Sequence, residues 1–586
     1  MTNGGLSQSR LEQARARVTA TLLSYFDPEK RCWTGELSAS ALSTATAITA
    51  LCIVDRKTHS RQINAGLDWL ARNQNADGGW GDTVHSHSNL STTALVWAAF
   101  GAAGNDAPQT MRGAETYLIH AAGSLDQLPG VIEASYGKDR TFSIPILMML
   151  ALSGRLGPDG WNRVRPLPFE LATLPRGFWG ALRLPVVSYA LPALIAIGQV
   201  IYYHHKRWNP IRALARHRTL DILSSLQPVN GGFLEATPLT SFVTMSLAGM
   251  GLAHHEVAQH GVDFLLKSVR ADGSWAIDTN LATWVSTLSI KALRHQPDSL
   301  TKFQKNTLRE WLLCQQYNTI HPYTGAAPGA WAWTDLPGGV PDADDTAGSL
   351  LALWELRPED FPSNTRFLEA IAKGVKWLLN LQNRDGGIPT FCRGWGTLPF
   401  DRSTPELTAH ALRAWRIWMP HLPETLQKRA ARACDKAIGF LELSQRPDGA
   451  WIPLWFGNEA APKQENPVYG TALVLQALSM TEKETAMKKR GERYLISIQN
   501  SDGGWGGALN LPSTIEETSL ALESLAKNKD SQMNVDRGIE WLLSAIEKDQ
   551  LKSPAPIGLY FAKLWYFESL YPCIFAAGAL GALCRK

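Results

Sequence analysis

A helix end, a Gln, three residues, a Gly, one residue and an aromatic ring recur along this chain, and that recurrence constrains the fold more than any other feature. Clear copies stand at Gln74, Gly78 and Trp80; at Gln227, Gly231 and Phe233; at Gln445, Gly449 and Trp451; and at Gln499, Gly503 and Trp505. Weaker copies are Gln382, Gly386 and Ile388, and Val269, Gly273 and Trp275. The copies at Gln382, Gln445 and Gln499 lie 63 and 54 residues apart, enough for two helices and their loops. Asp/Asn-Gly-Gly clusters supply the positive-φ residues that stop the first helix. The Gln side chain is placed to bond the free carbonyls there or to cap the next helix, and the Trp to cover the turn against the Gln amide. Helix pairs of this kind stack side by side and close on themselves, so the expected fold is all-α, an α/α barrel or toroid.

Composition narrows the function. The 586 residues are too many for one ordinary core and ample for two. Fifty-seven basic against 53 acidic residues leave a net charge of +4, which excludes a nucleic-acid binder working by bulk charge. The seven cysteines are dispersed, with no CxxC pair, and read as reduced thiols rather than zinc ligands. Tryptophan supplies 22 of the 53 aromatic residues, more than packing asks for. Residues 11–26 mix Glu and Arg into an apolar pattern, as an amphipathic helix does and a secretory leader does not. The most apolar stretch, 178–198, carries Arg183, Pro185 and Pro192, which favours a buried or membrane-dipping helix over a spanning one.

Between repeats lies GAWAWTDLPGGVPDADDTAGSLLALWEL, with Asp342, Asp344 and Asp345 inside four residues at the start of an apolar helix. One Asp there is explained by capping, worth about 1 kcal/mol. Three carboxyls so close cannot all ionise cheaply, so one should hold its proton near neutral pH. A held proton framed by Trp331 and Trp333 is equipment for protonating an alkene. A magnesium-diphosphate site would want a second acidic motif, which the sequence lacks.

The repeat resembles the QW motif of the squalene and oxidosqualene cyclases, and the acidic segment resembles the DxDD motif of class II terpene cyclases in its squalene-hopene cyclase form. That resemblance implies Asp344 as the Brønsted acid, with Asp342 and Asp345 as flanking carboxylates that hold and polarise it. It implies His410 as the acid's hydrogen-bond partner, since Glu406, Leu407, Thr408, Ala409 and His410 reproduce the family's acid-x-Thr-Ala-His segment, with Glu406 orienting the ring. Carbocations in a dry cavity are stabilised by aromatic faces, and the matching segments offer Trp284, Trp331, Trp333, Trp455, Tyr469, Tyr560 and Phe567. Where the family carries acidic residues at the far end of the cavity, this chain has Ser or Ala and Leu95, and its exit segment carries Thr237 and Phe242. The initiating chemistry is thus retained while the terminating site is rewritten.

The resemblance further implies two barrels: an arm over 1–37 packing on a catalytic barrel over 281–586, and an inserted barrel over 38–280 with a membrane-associated helix. It implies a class II triterpene cyclase acting on squalene or a close polyprene, with no cofactor or metal. The enzyme would touch the cytoplasmic face of the inner membrane monotopically, with a homodimer open. The alternative keeps the acid and changes the substrate to a prenyl diphosphate. For that, the one tight basic run is His204, His205, Lys206 and Arg207, which reads as a solvated or membrane-facing edge. A prenyltransferase-like toroid would want an Asp/Cys/His zinc set, and no cysteine here sits in one.

Overall fold

The structure is a computed structural model of the full chain, and it describes residues 2–104, 107–137, 140–182, 184, 188–205, 208–391, 401–480, 485–528, 531–559 and 564–584. Among the described residues it is mostly helical, with three two-stranded ribbons between helices. Two hydrophobic cores divide the chain. One is built from residues 11–37 and 276–583, the other from residues 41–275 together with Tyr323 and Val340.

Each core is a ring of helices. In the first, six inner helices meet in order and close on themselves: Ala282–Ala292, Ala343–Glu355, Pro405–Trp418, Pro467–Leu478, Ile515–Leu525 and Tyr571–Leu583. Outer helices back them, and the amino-terminal helix Thr2–Ser24 packs on Tyr571–Leu583 as the outer partner that the last repeat lacks. In the second, Ala41–Asp55, Leu90–Ala103, Ser143–Leu152, Leu191–His205 and Thr237–Gly249 form the closed inner ring. The expectation of two α/α barrels is met in the architecture.

The repeat residues hold these rings by a recurring set of hydrogen bonds. The Gln amide donates to the turn glycine's carbonyl and to a carbonyl in the next outer helix, as Gln74 does to Gly78 and Thr110, and Gln445 to Gly449 and Met487. The indole N–H donates back to the carbonyl of the helix just ended: Trp80 to Leu70, Trp275 to Leu265, Trp451 to Leu441, Trp505 to Leu495, each at 2.7–2.8 Å. The same residue's backbone N–H donates to a Thr hydroxyl on the inner helix, as Trp80 does to Thr93 and Trp451 to Thr471. Helix ends leave orphan carbonyls, and the indole answers one of them while its ring fills the space between layers. Glycines leave room for that ring: a Cβ at Gly491 or Gly538 would stand 2.7 or 2.6 Å from the Trp451 or Trp505 ring.

One repeat escaped the sequence pattern. Gln316 donates to Gly329 and Ala370, and Trp331 donates its indole N–H to Leu312 at 2.7 Å. Here Gly stands 13 positions after Gln instead of four. The extra loop crosses to the second core, where Tyr323 is buried and its hydroxyl donates to the Tyr189 carbonyl.

The apolar stretch at 178–198 is not one helix. It divides into Arg176–Ala181, where Phe178 stands exposed, and Leu191–His205, whose residues from Leu191 to Ile201 are largely buried in the second core. Pro192 stands in the first turn of the second helix, where a proline is tolerated; Arg183 and Pro185 lie outside the described residues. Among the described residues no helix is long and apolar enough to cross a membrane.

Candidate active site

The acidic turn is clamped from both sides. Asp342 is extended, at φ −139° and ψ 170°, and its Oδ1 accepts the Asp345 N–H at 2.8 Å, capping the helix Ala343–Glu355. Its own N–H donates to Trp331, and the Ala343 N–H to Thr390. Asp342 and Asp345 are 3% and 5% exposed, whereas the Asp344 side chain keeps 18%. Burial raises Asp342 to about 8 and Asp345 well above the ordinary carboxylate range; the charge of Asp344 adds to both shifts and that of Asp342 to Asp345's. Burial thus favours the neutral acid at both positions, where the resemblance implies carboxylates.

His410 lies on the adjacent inner helix, its Nδ1 2.5 Å from Asp344 Oδ1. Burial lowers the imidazole to about 4, so the ring is neutral at physiological pH. Its Nε2 is buried without a hydrogen-bond partner. A hydrogen on Nδ1 therefore lets the neutral ring donate to Asp344 Oδ1, an arrangement suited to stabilising a carboxylate there.

Glu406 does not orient that ring. Its Oε1 accepts the N–H groups of Leu454 and Trp455, at 2.7 and 3.3 Å, and so fixes the loop that carries Trp455. It is one helical turn before His410, close enough in sequence pattern to suggest a partner but committed to a different backbone. Burial raises this carboxyl to about 7.

Asp344 borders two chambers. The larger, about 260 Å³, lies between the two cores and is walled by Trp284, Trp333, Phe391, Trp455, Phe456 and Tyr566, with Tyr189, Leu234 and Ala236 from the second core. The Trp284 ring stacks on Phe456, centroids 6.2 Å apart and 12° from parallel, and its N–H donates to the Tyr571 hydroxyl at 2.9 Å. Trp455 donates its N–H to Thr390 Oγ1 at 2.6 Å. Aromatic faces thus meet the chamber while the indole N–H groups of Trp284 and Trp455 are used elsewhere. Asp278 is a further carboxyl on its wall, raised well above the usual range by burial and by the charge of Glu235.

Three of the expected aromatics fall elsewhere. Trp331 is fully buried in the catalytic core as a repeat tryptophan, since its N–H is needed by Leu312. Phe567 stacks on His85, centroids 5.1 Å apart, and its neighbour Tyr566 lines the chamber instead; in extended chain, adjacent side chains point to opposite faces. Tyr469 packs on Phe456 and faces the second, smaller chamber. Tyr560 lies outside the described residues. Phe391, Phe456, Tyr566 and Asp278 were not foreseen. Phe456 and Tyr566 each adjoin a residue or segment that was, so the signal existed to within one position. His204 and His205, read as an exposed basic edge, are half-buried, each with Nε2 within hydrogen-bond distance of a backbone carbonyl, of Gly249 and Trp161; Lys206 and Arg207 lie outside the described residues.

A closed helical double barrel with a hydrogen-bonded acid at the head of an aromatic chamber defines a class II terpene cyclase, which starts its reaction by protonation. The sequence model of the squalene-hopene cyclase C-terminal domain matches residues 282–585, and that of the N-terminal domain matches residues 16–228. The chain belongs to the squalene-hopene cyclase family. It is 25% identical to the squalene–hopene cyclase of Bradyrhizobium diazoefficiens over 91% of this chain and 88% of that one. It is 30% identical to a drimenyl diphosphate synthase of Streptomyces showdoensis over only 36% of this chain and 35% of that one. In fold it is similar to ent-copalyl diphosphate synthase from Streptomyces platensis, with a TM-score of 0.56, 18% identity, and coverage of 98% of this chain and 99% of that one.

Proposed function

We propose that this enzyme protonates a terminal alkene of squalene, or of a close uncharged polyprene, and drives its polycyclisation to a hopene-like product. The observation that carries the reading is the placement of Asp344: hydrogen-bonded to neutral His410 on one side and open to an apolar, aromatic-walled chamber on the other. The Asp344 O–H bond breaks, its proton joins the less substituted alkene carbon, and the alkene's π pair becomes the new C–H bond. The tertiary cation so formed is attacked by the next alkene, and ring closure proceeds along the chain. Trp284, Trp333, Trp455 and Phe456 present ring faces to the moving charge. Asp342, Asp345 and Asp278, kept neutral by burial, do not quench it.

Entry from a lipid surface fits the exposed apolar residues Phe178, Leu182, Trp208, Ile211 and Leu214. Tyr189, which follows the first two in sequence, lines the chamber. The expected location is thus the cytoplasmic face of the inner membrane, held on one leaflet. The prenyl diphosphate reading stays as the second, favoured by the segment similar to drimenyl diphosphate synthase.

The test is product analysis. Detergent-solubilised enzyme is incubated with squalene, with Asp344→Asn as control, and the neutral lipids are read by gas chromatography-mass spectrometry. A new isomer of squalene or its hydrate, absent from the control, supports the proposal. Intact squalene, with farnesyl or geranylgeranyl diphosphate cyclised in the presence of magnesium, transfers the same acid chemistry to the second reading.

A further inference from the structure

The smaller chamber, about 30 Å³, lies within the ring of inner helices of the catalytic barrel and shares only Asp344 and Trp284 with the larger one; its apolar wall is interrupted by a set of charged side chains. It is lined by Lys291, Arg294, Arg413, Gln476 and Glu523, besides His410, Glu406 and Tyr469. Its polar groups form a chain. Arg413 donates to Gln476 Oε1 at 3.0 Å, Gln476 donates to Glu523 Oε2 at 3.2 Å, and Arg294 is paired with Glu523. The Arg294 and Glu523 side chains are 21% and 10% exposed, so the far end of the chain reaches solvent. A space of this volume has room for about two water molecules, at roughly 10–15 Å³ each, and it has the polar partners that buried water needs.

Each turnover leaves Asp344 as a carboxylate that must be reprotonated, and the smaller chamber joins it to the Arg294–Glu523 pair that reaches solvent. We propose that the charged chamber is the route by which Asp344 regains its proton, with Lys291 as the relay group. The inference rests on Asp344 being the acid. A proton leaves the Lys291 ammonium, crosses a water in the chamber and joins the Asp344 carboxylate; the N–H pair stays on nitrogen as an amine. Lys291 then takes a proton from solvent at the Arg294–Glu523 mouth. The proton shed by the cyclised cation balances the one taken up.

The groups facing Lys291 suit that duty. Desolvation lowers its ammonium to about 7, Arg413 and Arg294 push the same way, and Glu523 and Asp344 oppose them. Burial alone would raise Glu523, but Arg294, Arg413 and Lys291 hold it below its ordinary value as an anion. Arg413 is lowered to about 10 and still keeps its charge. His410 is neutral, Glu406 sits near 7 and Tyr469 is far above its usual range. The helix Tyr571–Leu583 adds only Ile574, Phe575 and Gly578. Lys291 is therefore the cation in this chamber that can both gain and lose a proton near neutral pH.

Lys291 is a positioning residue of the proton, not a group that touches substrate, and kinetics can separate the two. With enzyme in excess over squalene, Lys291→Met is expected to complete its first turnover within twofold of the wild-type rate. Under substrate excess its steady-state rate should fall at least tenfold, with the product unchanged. Lys291→Arg, which keeps the charge but cannot release the proton, should behave like Lys291→Met. Equal loss in both regimes, or rescue by Arg, overturns the relay. Failure of wild-type enzyme on squalene would strike the substrate reading alone, and the comparison is then made with geranylgeranyl diphosphate and magnesium. A substrate-free arm decides independently. Below pH 7 the folded protein carries a half-buried, desolvated ammonium at Lys291, and between 7 and 10.5 the unfolded chain binds the extra proton. Lys291→Met should therefore raise the melting temperature at pH 6, by an amount that shrinks as pH rises towards 10. No gain at pH 6 means that Lys291 does not titrate in this range, and the relay falls.

Discussion

In the N-terminal barrel the inner helices bury Thr44, Thr46, Thr93, Gln199, Thr240 and Thr244 among apolar side chains, and among the described residues they bury no charge. In the catalytic barrel the equivalent helices bury Asp345, Glu406, His410, Arg413, Glu516 and Glu517. Yet both rings are tied by the same Gln, indole and Thr hydrogen bonds. The repeat therefore dictates how helices close and leaves the middle of each ring free. One middle is lined by apolar and hydroxyl-bearing side chains; the other holds ionisable groups, with Asp344 at its head. Burying unpaired charges is costly, and Arg413, Gln476, Glu523 and Arg294 pair part of the charged centre, which is confined to the ring that carries Asp344.

The sharpest way to break that comparison is at Asp344. Asp344→Asn should lower turnover by ~10³-fold or more, the scale of losing a general acid, with an unchanged circular dichroism spectrum and melting temperature; product formed at the wild-type rate would remove Asp344 from its role. His410→Ala should cost ~10- to 10³-fold. Because His410 is lowered to about 4, its ionisation should not appear in the rate between pH 5 and 8. The folded ring resists protonation that the unfolded one accepts below about 6.5, so His410 makes the wild type lose stability as pH falls from 6.5 to 4. Denaturant melts across that window should show a shallower loss for His410→Ala.

Aromatic walls are the next smaller effect. A ring face over a cation is worth ~0.5–2 kcal/mol, so Trp333→Ala should slow turnover by roughly 2- to 30-fold. Shorter or partly cyclised products should also appear in the chromatogram. Trp97→Ala, in the other barrel with Arg155 over its ring, should leave the product spectrum untouched.

Much of this was legible before the fold was seen, because hydrogen-bonded turns impose local spacing. Asp342, Asp344, Asp345 and the acid-x-Thr-Ala-His segment lie where a helix start and a helix face put them, so the Asp344–His410 pair could be assigned from spacing and resemblance. What failed was whatever depended on register across a loop. The 13-position spacing from Gln316 to Gly329 hid a repeat and left Trp331 to be taken for a chamber wall. A one-residue shift in an extended segment exchanged Phe567 for Tyr566. Glu406 shares a helix face with His410, and no local rule says that its oxygen is claimed by the backbone of a loop 48 residues on. The lumen cluster escaped for a similar reason: Lys291, Arg413 and Glu523 come from three helices, and each alone reads as an ordinary charge.

The smallest effect tests the repeat itself, with one indole from each barrel. Trp80→Phe and Trp331→Phe each keep a ring and remove one N–H, leaving the carbonyl of Leu70 or Leu312 without that donor. Each should cost ~1–3 kcal/mol, the penalty of an unsatisfied buried acceptor, measured as a shift in denaturant midpoint. Stability alone should not tell the two apart. Activity should. Trp80 braces an inner helix through Thr93, with nothing of the acid turn attached. Trp331 also takes the Asp342 N–H on its carbonyl and gives its own N–H to Thr346, so its backbone carries one side of the turn that presents Asp344. Tilting that strand by a fraction of an ångström moves the acid relative to His410, where geometry is tight, and positioning errors of that size lower rates. Trp331→Phe should therefore lose a few-fold in turnover beyond any loss of folded protein, while Trp80→Phe loses none. Equal activities at matched folded fractions would mean that the acid turn is held by Thr390 and the Asp342 cap, and that the two indoles are interchangeable parts of one scaffold.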